Sequence, residues 1–245
     1  MIQFAAATDT GSVRSENQDR WLGDAELGLF AVADGLGGHA AGALAAQLAV
    51  DLLPRLVRRA LSLAAPDAAE QVPRAVADEV KTLSQLVYQE TRGQPAVNGT
   101  GTTLVLALVD GRHATIVHVG DSRAYLLREG KMRQLTGDHS LARRLIDNRT
   151  LPEAEVRRHP AARKLTQYIG MPPPIAPDAQ RIAFLPGDLL LLSSDGLHGQ
   201  VDDGGIAEIL RAGGTVQGMG EKLVAASNRA GGRDNVTVVL ISQTE

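Results

Sequence analysis

Residues 102–130 read TTLVLALVDGRHATIVHVGDSRAYLLREG, and this stretch decides the fold. Its three apolar runs, Thr102 to Val109, Ala114 to Val119 and Ser122 to Leu127, predict three strands. Asp110-Gly111 lies between the first two runs and Glu129-Gly130 follows the third, and both pairs are hairpin-turn signals. Consecutive strands that are joined by such short turns favour an antiparallel sheet.

The rest of the chain adds further strands and three helices. We predict early strands over Ile2 to Thr8 and Leu29 to Ala33, and late strands over Asp178 to Leu185, Asp188 to Leu192 and onward from Val236. Apolar residues at helical spacing predict three helices, marked by Leu44, Leu48, Leu52 and Leu56, by Val72, Val76, Val80, Leu83 and Val87, and by Val216, Met219, Leu223 and Ala226. Pro54 is expected to kink or shorten the first helix, and Gly231-Gly232 to end the third. Helices in consecutive pairs disfavour a doubly wound parallel sheet and favour a mainly antiparallel α+β layered fold.

Composition narrows the classes of function. The 245 residues, 44% of them hydrophobic, suit one sizeable domain spanning 1–245. The net charge of −3 argues against non-specific nucleic-acid binding. Since the chain has no cysteine, disulfides, thiolate nucleophiles and cysteine-ligated zinc are excluded, and a cytoplasmic location is expected. We expect no membrane association, because no signal peptide and no apolar stretch of ~20 residues is present.

Four aspartates lie at the ends of apolar runs, where a carboxylate can be held rigidly and still reach solvent. Asp34, Asp121 and Asp195 each follow such a run, and Asp234 precedes the last one. Converging carboxylates repel one another unless a cation lies between them. Mg²⁺ and Mn²⁺ prefer oxygen ligands of this kind. The pattern therefore predicts a divalent-metal centre.

Other short motifs are weak singly but specific in their order and spacing. The set is Thr8 to Asp19, Ala33 to His39, Gly99 to Thr103, Gly120 to Arg123, Leu135 to Ser140, Ser193 to Leu197 and Arg233 to Val238. Together they resemble the metal-dependent protein phosphatases, the type 2C serine/threonine family, in its compact bacterial form. The resemblance runs from Thr8 to Ile241. It implies two antiparallel β-sheets packed as a central sandwich and flanked by pairs of antiparallel helices, in α-β-β-α layers.

The resemblance also assigns roles to residues. Asp34, Asp195 and Asp234 match the carboxylates that hold two tightly bound Mn²⁺ or Mg²⁺ ions, and the carbonyl of Gly35 matches a backbone ligand. Asp121 matches a ligand of a third, weaker ion. Arg14 matches the phosphate-binding arginine, whose planar fork of donors suits a phosphate. Asp19 matches an outer-shell acid that orders metal-bound water.

The implied reaction is hydrolysis of phosphoserine and phosphothreonine in proteins. A hydroxide that bridges the two ions would attack the phosphoryl group directly, without a covalent phosphoenzyme. Ser193 and Ser194 are not predicted to be nucleophiles, because no G-x-S-x-G elbow surrounds them. Two departures from the family stand out: Gln18 replaces a common Glu, and Leu36 replaces the histidine proposed as general acid in eukaryotic relatives. Water or His39 could take that role.

The segment 139–166 is locally basic in an acidic chain. It carries seven Lys or Arg against three acidic residues. Its family counterpart is a variable flap, so we expect a flap-like insertion that helps to choose the substrate. The alternative is that Arg143, Arg144, Arg157 and Arg158 form the solvated faces of two short helices. His118 is expected in the core, His139 to cap or pack against its loop, and His159 at the surface.

Two other functions remain open from the sequence. A catalytically inactive phosphoprotein-binding module would have little need for intact Asp34, Asp121, Asp195 and Asp234. A small-molecule phosphoesterase is disfavoured by the basic segment and by the lack of an aromatic-lined pocket. We expect a monomer whose partners are phosphoserine and phosphothreonine proteins, together with a cognate serine/threonine kinase and its substrates.

Overall fold

The computed structural model describes residues 1–37, 40–63, 69–92, 100–148 and 164–243. The strands are β1 (Ile2–Asp9), β2 (Arg20–Asp24), β3 (Leu29–Ala33), β4 (Gly35–Leu36), β5 (Gly101–Thr102), β6 (Leu104–Asp110), β7 (His113–Val119), β8 (Arg123–Arg128), β9 (Lys131–Gln134), β10 (Asp178–Ala183), β11 (Leu189–Ser193) and β12 (Val236–Gln243). The α-helices are α1 (Ala40–Leu63), α2 (Val72–Arg92), α3 (Leu141–Asp147), α4 (Asp195–His198), α5 (Asp203–Arg211) and α6 (Val216–Arg229), and a short 3₁₀ helix spans Ala69–Gln71. None of these helices is long and apolar enough to cross a membrane.

Two five-stranded antiparallel sheets form the centre of the molecule. Sheet 1 has the strand order β1-β12-β11-β8-β9, and sheet 2 has the order β10-β7-β6-β3-β2. The hairpins predicted at Asp110-Gly111 and Glu129-Gly130 join β6 to β7 and β8 to β9. A two-stranded ribbon of β4 and β5 extends sheet 2 beyond Ala33. The predicted antiparallel α+β class is therefore confirmed.

Three apolar clusters divide the molecule into four layers. The cluster between the two sheets includes Phe30, Val32, Ile116, Leu190, Leu192 and Val239. A second cluster joins the outer face of sheet 2 to α1 and α2, and a third joins the outer face of sheet 1 to α5 and α6. Side chains alternate between the two faces of each strand, which is why one strand contributes to two clusters. This arrangement is the predicted α-β-β-α sandwich.

The buried face of α1 follows the predicted leucine stripe only in part: Leu56 is buried, and Leu48 and Leu52 pack at the edge of the same cluster. Leu44 is 37% exposed and Leu48 and Leu52 are half-buried, whereas Ala45, Ala49, Leu53, Val57 and Ala60 are buried. The alanines have little side chain, so the helix backbone can approach the sheet closely along that line. Pro54 does not shorten the helix, which continues to Leu63.

Three further differences concern the strands. The run from Thr102 to Val109 is divided at Thr103, because β5 pairs with β4 while β6 pairs with β3. The predicted strands Asp178 to Leu185 and Asp188 to Leu192 do not pair with each other. The turn at Pro186-Gly187 between them connects the two sheets, since β10 lies in sheet 2 and β11 in sheet 1. The edge strands β2 and β9 were not predicted, because their sequences RWLGD and KMRQ lack an apolar run.

Candidate active site

One cavity of about 330 Å³ opens where strands of both sheets end. All four predicted aspartates line it, although they come from segments far apart in the chain. The lining also includes Arg14, Gly35, Leu36 and Leu165, together with Ser15, Glu16, Gln18, Gly37 and Asn235. The structure thus brings the predicted ligands together at one site.

Asp34 lies between β3 and β4, and its backbone is held by Thr102 at the end of β5 and Thr103 just after it. The Asp34 N–H donates to Thr103 Oγ1 at 3.1 Å, and the Asp34 carbonyl accepts from Thr103 N at 2.9 Å and from Thr102 Oγ1 at 2.8 Å. Both threonines are fully buried. Thr103 Oγ1 also lies 2.6 Å from Ser122 Oγ, next to Asp121. The motif Gly99 to Thr103 therefore ends in two fixed residues that connect two of the aspartates.

Gly35 lies where the strand end meets the start of α1. A Cβ atom at Gly35 would collide with the carbonyl of Gly42 in the first turns of that helix. Only glycine permits this close backbone approach. As a result α1 packs directly behind the residue that was predicted to offer a carbonyl ligand.

Asp195 begins the short helix α4, directly after β11. The preceding Ser194 is fully buried, and its hydroxyl donates to Asp19 Oδ2 at 2.7 Å while accepting from Thr237 N at 3.0 Å. Ser194 therefore positions Asp19, in agreement with the prediction that it is not a nucleophile. Asp19 itself does not line the cavity but lies buried behind it, as an outer-shell residue would.

Asp234 forms an ion pair with Arg14, and the adjacent Asn235 holds the loop that carries Arg14. Arg14 Nη2 donates to Asp234 Oδ2 at 2.8 Å. The Asn235 amide donates to the carbonyls of Thr10 and Glu16, both at 2.9 Å, and its Oδ1 accepts from Gln18 N at 2.9 Å. These three bonds fix both ends of the loop between β1 and β2.

Asp19, Asp34, Asp121, Asp195 and Asp234 form a carboxylate cluster whose members repel one another strongly. Burial raises the pKa of Asp34 well above its usual range, and the charges of Asp19, Asp195 and Asp121 raise it further. Burial and then Asp195 raise the pKa of Asp121 to about 7. Burial also raises the pKa of Asp19 to about 6, although hydrogen bonds from Ser194 and Thr237 act in the opposite direction. At neutral pH these groups cannot all ionise without a compensating positive charge.

This donor set fits divalent cations with a preference for oxygen. The cavity offers carboxylate and backbone oxygen atoms, and its described lining contains neither histidine nor cysteine. Asp19 Oδ1 is buried and has no hydrogen-bond partner among the described residues, so it can accept from a water ordered at the site. Oxygen-only donors favour Mg²⁺ or Mn²⁺ over zinc or copper.

The remaining predicted residues divide into three groups. His118 is buried with Nε2 donating to the Gly137 carbonyl at 2.8 Å, and His139 packs against its loop, as predicted for both. Leu36 lines the cavity and offers no proton. Residues 38–39 and 149–163 lie outside the described residues. His39, Arg157, Arg158 and His159 are among them, so what was predicted for these four residues stays a prediction.

Three structural residues of the site were given no role by the sequence analysis. Thr103, Ser194 and Asn235 are buried polar residues next to the aspartates or bonded to them. Each lies inside a quoted motif, and a polar residue beside an apolar run was the available signal. Their partners are up to 225 residues away, at Thr10 for Asn235, so local spacing could not identify them.

Comparison with known proteins gives consistent matches over the whole chain. The family model for protein phosphatase 2C matches residues 11–222. Protein phosphatase PhpP of Streptococcus pneumoniae is 36% identical, covering 100% of this chain and 98% of its own. The crystal structure of the S. agalactiae serine/threonine phosphatase is 31% identical with a TM-score of 0.88, covering 100% of both chains. The catalytic domain of the serine threonine protein phosphatase PstP, in complex with two manganese ions, is 33% identical with a TM-score of 0.80, covering 100% of this chain and 99% of that one.

Proposed function

Because the chain belongs to the protein phosphatase 2C family, we propose that it is a metal-dependent phosphatase that hydrolyses phosphoserine and phosphothreonine in proteins. The observation that carries the proposal is the convergence of Asp34, Asp121, Asp195 and Asp234 on one cavity beside Arg14. Four segments of the chain would have no reason to bring half-buried, repelling carboxylates together unless cations were bound among them.

The residues of the chain have separable tasks in this reaction. When bound, Mn²⁺ or Mg²⁺ ions supply Lewis-acid activation of a water and of the phosphoryl oxygens. Asp34, Asp195 and Asp234, with the Gly35 carbonyl, would hold the two tightly bound ions. Asp121 would contribute to a weaker third site. Asp19, held by Ser194, would accept hydrogen bonds from ordered water behind the cavity.

Arg14 can bind a phosphate without leaving Asp234. Its guanidinium has five N–H donors in a plane, and the described contact with Asp234 uses only Nη2. The other donors are available to a phosphoryl oxygen, and the side chain is 56% exposed at the mouth of the cavity. Arg14 therefore suits the neutralisation of charge on the transferred phosphoryl group.

A protein substrate fits the site better than a small phosphate ester does. Among the described residues, the cavity lining contains no aromatic side chain that would stack on a small organic group, and it is mostly polar. Leu165, from the end of the segment 139–166, contributes to the lining. We propose that this segment is the flap of the domain and contacts the polypeptide around the phosphorylated residue. A serine/threonine kinase must supply this substrate, because only such an enzyme makes the ester that is hydrolysed.

The proposal is tested by phosphate release from a phosphothreonine peptide. The parent should release phosphate with Mn²⁺ or Mg²⁺ and lose all turnover when EDTA is added. Asp195→Asn should lose at least about 100-fold in kcat, because the loss of one charged ligand disrupts the metal centre. Asp110→Asn, an exposed aspartate in the β6–β7 hairpin, is the matched control and should keep the parent's rate. Full turnover in EDTA, or an unaffected Asp195→Asn variant, would refute the proposed function.

A further inference from the structure

The motif Leu135 to Ser140 lies against the turn that carries Asp121, and the proposed reaction gives it no task. The His139 N–H donates to the Gly120 carbonyl at 2.8 Å, and the Gly120 N–H donates to His139 Nδ1 at 3.3 Å. On the other side of Asp121, Arg123 donates to both carboxylate oxygens of Asp138, at 2.8 and 2.7 Å. One segment thus holds the turn both before and after the aspartate.

The Gly120 N–H depends on His139 for its acceptor. Strand β7 ends at Val119, so the Gly120 peptide lies beyond the ladder, and Gly120 is buried. Its φ of +107° favours glycine, and an added Cβ would lie 2.7 Å from Thr103 Cβ. A buried backbone N–H needs an acceptor, and the imidazole Nδ1 provides it. The peptide that joins Val119 to Gly120, one before the Gly120–Asp121 peptide, is therefore oriented by a side chain.

The same contact fixes the tautomer of His139. Because Nδ1 accepts a hydrogen bond, the proton of the neutral ring must lie on Nε2. That Nε2 faces Asp178 Oδ2 at 3.4 Å. Asp178 is 67% exposed and the contact is long, so it adds little to the orientation of the ring. The bond to Gly120 is the one that matters.

A transition-metal site at His118, His139 and Asp178 is the competing interpretation. One possible ligand atom of each residue lies within 4.8 Å of the others. However, His118 Nε2 is used by the Gly137 carbonyl and His139 Nδ1 by the Gly120 N–H. The two rings stack with centroids 4.6 Å apart and planes 27° apart, so their in-plane lone pairs run side by side instead of converging. These contacts favour a structural task for His139.

We propose that His139 is a positioning residue for Asp121. By accepting the Gly120 N–H, its side chain fixes the Val119–Gly120 peptide, and its backbone N–H holds the carbonyl of the next peptide. Together these bonds hold the Asp121 carboxylate towards Asp34 and Asp195 in the cavity. Arg123 and Asp138 stabilise the other end of the same turn. The inference rests on the proposed function, because the position of Asp121 matters to catalysis only if the cavity binds cations.

Two substitutions at position 139 separate positioning from packing. His139→Asn keeps an acceptor oxygen at the place of Nδ1 but loses the ring that stacks on His118. His139→Phe keeps a ring of similar size but has no acceptor for the Gly120 N–H. If the hydrogen bond is the task, the Asn variant should resemble the parent and the Phe variant should be impaired. A residue that merely fills space would give the reverse order.

The measurement is Mn²⁺ binding by calorimetry, with peptide hydrolysis as a second readout. His139→Phe should weaken the lowest-affinity Mn²⁺ site by about 10-fold, as expected when a buried donor loses its acceptor. Asp121→Asn should weaken the same site, and the double variant His139→Phe/Asp121→Asn should bind no more weakly than Asp121→Asn alone. This lack of additivity is the signature of an effect that passes through Asp121. Thermal unfolding in EDTA shows whether each variant folds.

Several results would overturn the inference. Additive losses of Mn²⁺ affinity in the double variant would mean that His139 does not act through Asp121. If the Asn variant is as impaired as the Phe variant, the hydrogen bond to Gly120 is not the cause of the effect. If Asp121→Asn binds Mn²⁺ as the parent does, there is no effect for His139 to transmit. Nitrogen-15 NMR of the metal-free parent gives an independent test, since a protonated Nδ1 on His139 would contradict the contact itself. A parent that releases phosphate with Mn²⁺ upholds the proposed function under all of these outcomes.

Discussion

Arg14 is the residue in which two predicted tasks meet. It was predicted to bind phosphate, and in the structure it also pairs with Asp234, a predicted metal ligand. The ion pair raises the pKa of Arg14, chiefly through the hydrogen bond to Asp234, so the guanidinium stays charged throughout the working pH range. A cation held by Asp234 would therefore share this carboxylate with Arg14.

Arg14→Ala should lower kcat/KM for a phosphothreonine peptide by about 10- to 150-fold, which corresponds to the loss of a charged hydrogen bond to phosphate of about 1.5–3 kcal/mol. Mn²⁺ affinity should stay the same or increase, because Arg14 no longer competes for Asp234. Steady-state kinetics and calorimetry on the same preparation measure both quantities. Arg14→Lys keeps the charge but loses the planar fork, and it should recover only part of the rate. A large fall in Mn²⁺ affinity would assign Arg14 a structural role instead.

Among the elements, the junction between β5 and β6 links two aspartates through the hydroxyl of a single residue, Thr103. Thr103 Oγ1 accepts from the Asp34 N–H and lies against Ser122 Oγ, so the ends of β3 and β7 are held at a fixed spacing. Thr103 is fully buried, and water cannot replace the bond if it is lost.

Thr103→Val should therefore destabilise the fold by about 1–3 kcal/mol, because it leaves the buried Asp34 N–H without a partner. It should also lower kcat, since Asp34 and Asp121 would no longer be held relative to each other. Urea unfolding and peptide hydrolysis are the measurements. Thr103→Ser, which keeps the hydroxyl, is the control and should retain most of the activity. Equal behaviour of Val and Ser at this position would show that the hydroxyl is unimportant.

The segment 139–166 gives a second prediction at this scale. If it is a flap that contacts protein substrates, the double substitution Arg157→Glu and Arg158→Glu should slow hydrolysis of a phosphoprotein and leave a small aryl phosphate nearly unaffected. The difference should shrink as salt screens the charges. Arg143→Glu reverses a charge at the start of the same segment, where Arg143 pairs with Asp147 inside α3, and serves as the matched control. An equal response of both substrates would favour solvated helix faces.

Across the whole molecule, protons and metal ions compete for the same cluster. The pKa values of Asp121 and Asp19 are raised to about 7 and about 6, against about 3.9 for an unfolded aspartate. Without metal, these two carboxyl groups thus hold more protons in the folded chain than in the unfolded chain between roughly pH 4 and pH 7. Their contribution to the free energy of unfolding therefore falls as pH rises through that window, and bound Mn²⁺ removes this loss by replacing the protons.

The expected result is a pH-dependent stabilisation by metal. The increase in Tm caused by Mn²⁺ over EDTA should be at least about 3 °C larger at pH 7.5 than at pH 5.0, which corresponds to roughly 1 kcal/mol in a chain of this size. Differential scanning calorimetry of the parent measures it. In Asp34→Asn the dependence should be strongly reduced, because the cluster has lost one charge. An identical increase at both pH values would contradict the proposed competition.

Sequence patterns predicted the layers of this molecule better than its internal contacts. The apolar runs that became β3, β7 and β11 are buried on both faces, so their composition alone marks them as strands. Edge strand β9 has half its residues exposed and no such signal. The aspartates were found because each adjoins an apolar run that predicts a buried strand. The bonds of Asn235 to Thr10 and Glu16 were not, because they join positions more than 200 residues apart and local periodicity does not report such pairs.

The two ends of the segment 139–166 are fastened to each other. The Leu141 N–H donates to the Lys164 carbonyl and the Thr166 N–H to the His139 carbonyl, both at 2.8 Å, and Ser140 pairs with Leu165 as a β-bridge. An insertion whose two ends are bonded to each other can change in length and composition with little effect on the stability of the rest of the protein. Related proteins could therefore carry different insertions at this point while the residues of the active site stay the same. Within such a lineage, enzymes of identical chemistry would diverge in the proteins they serve.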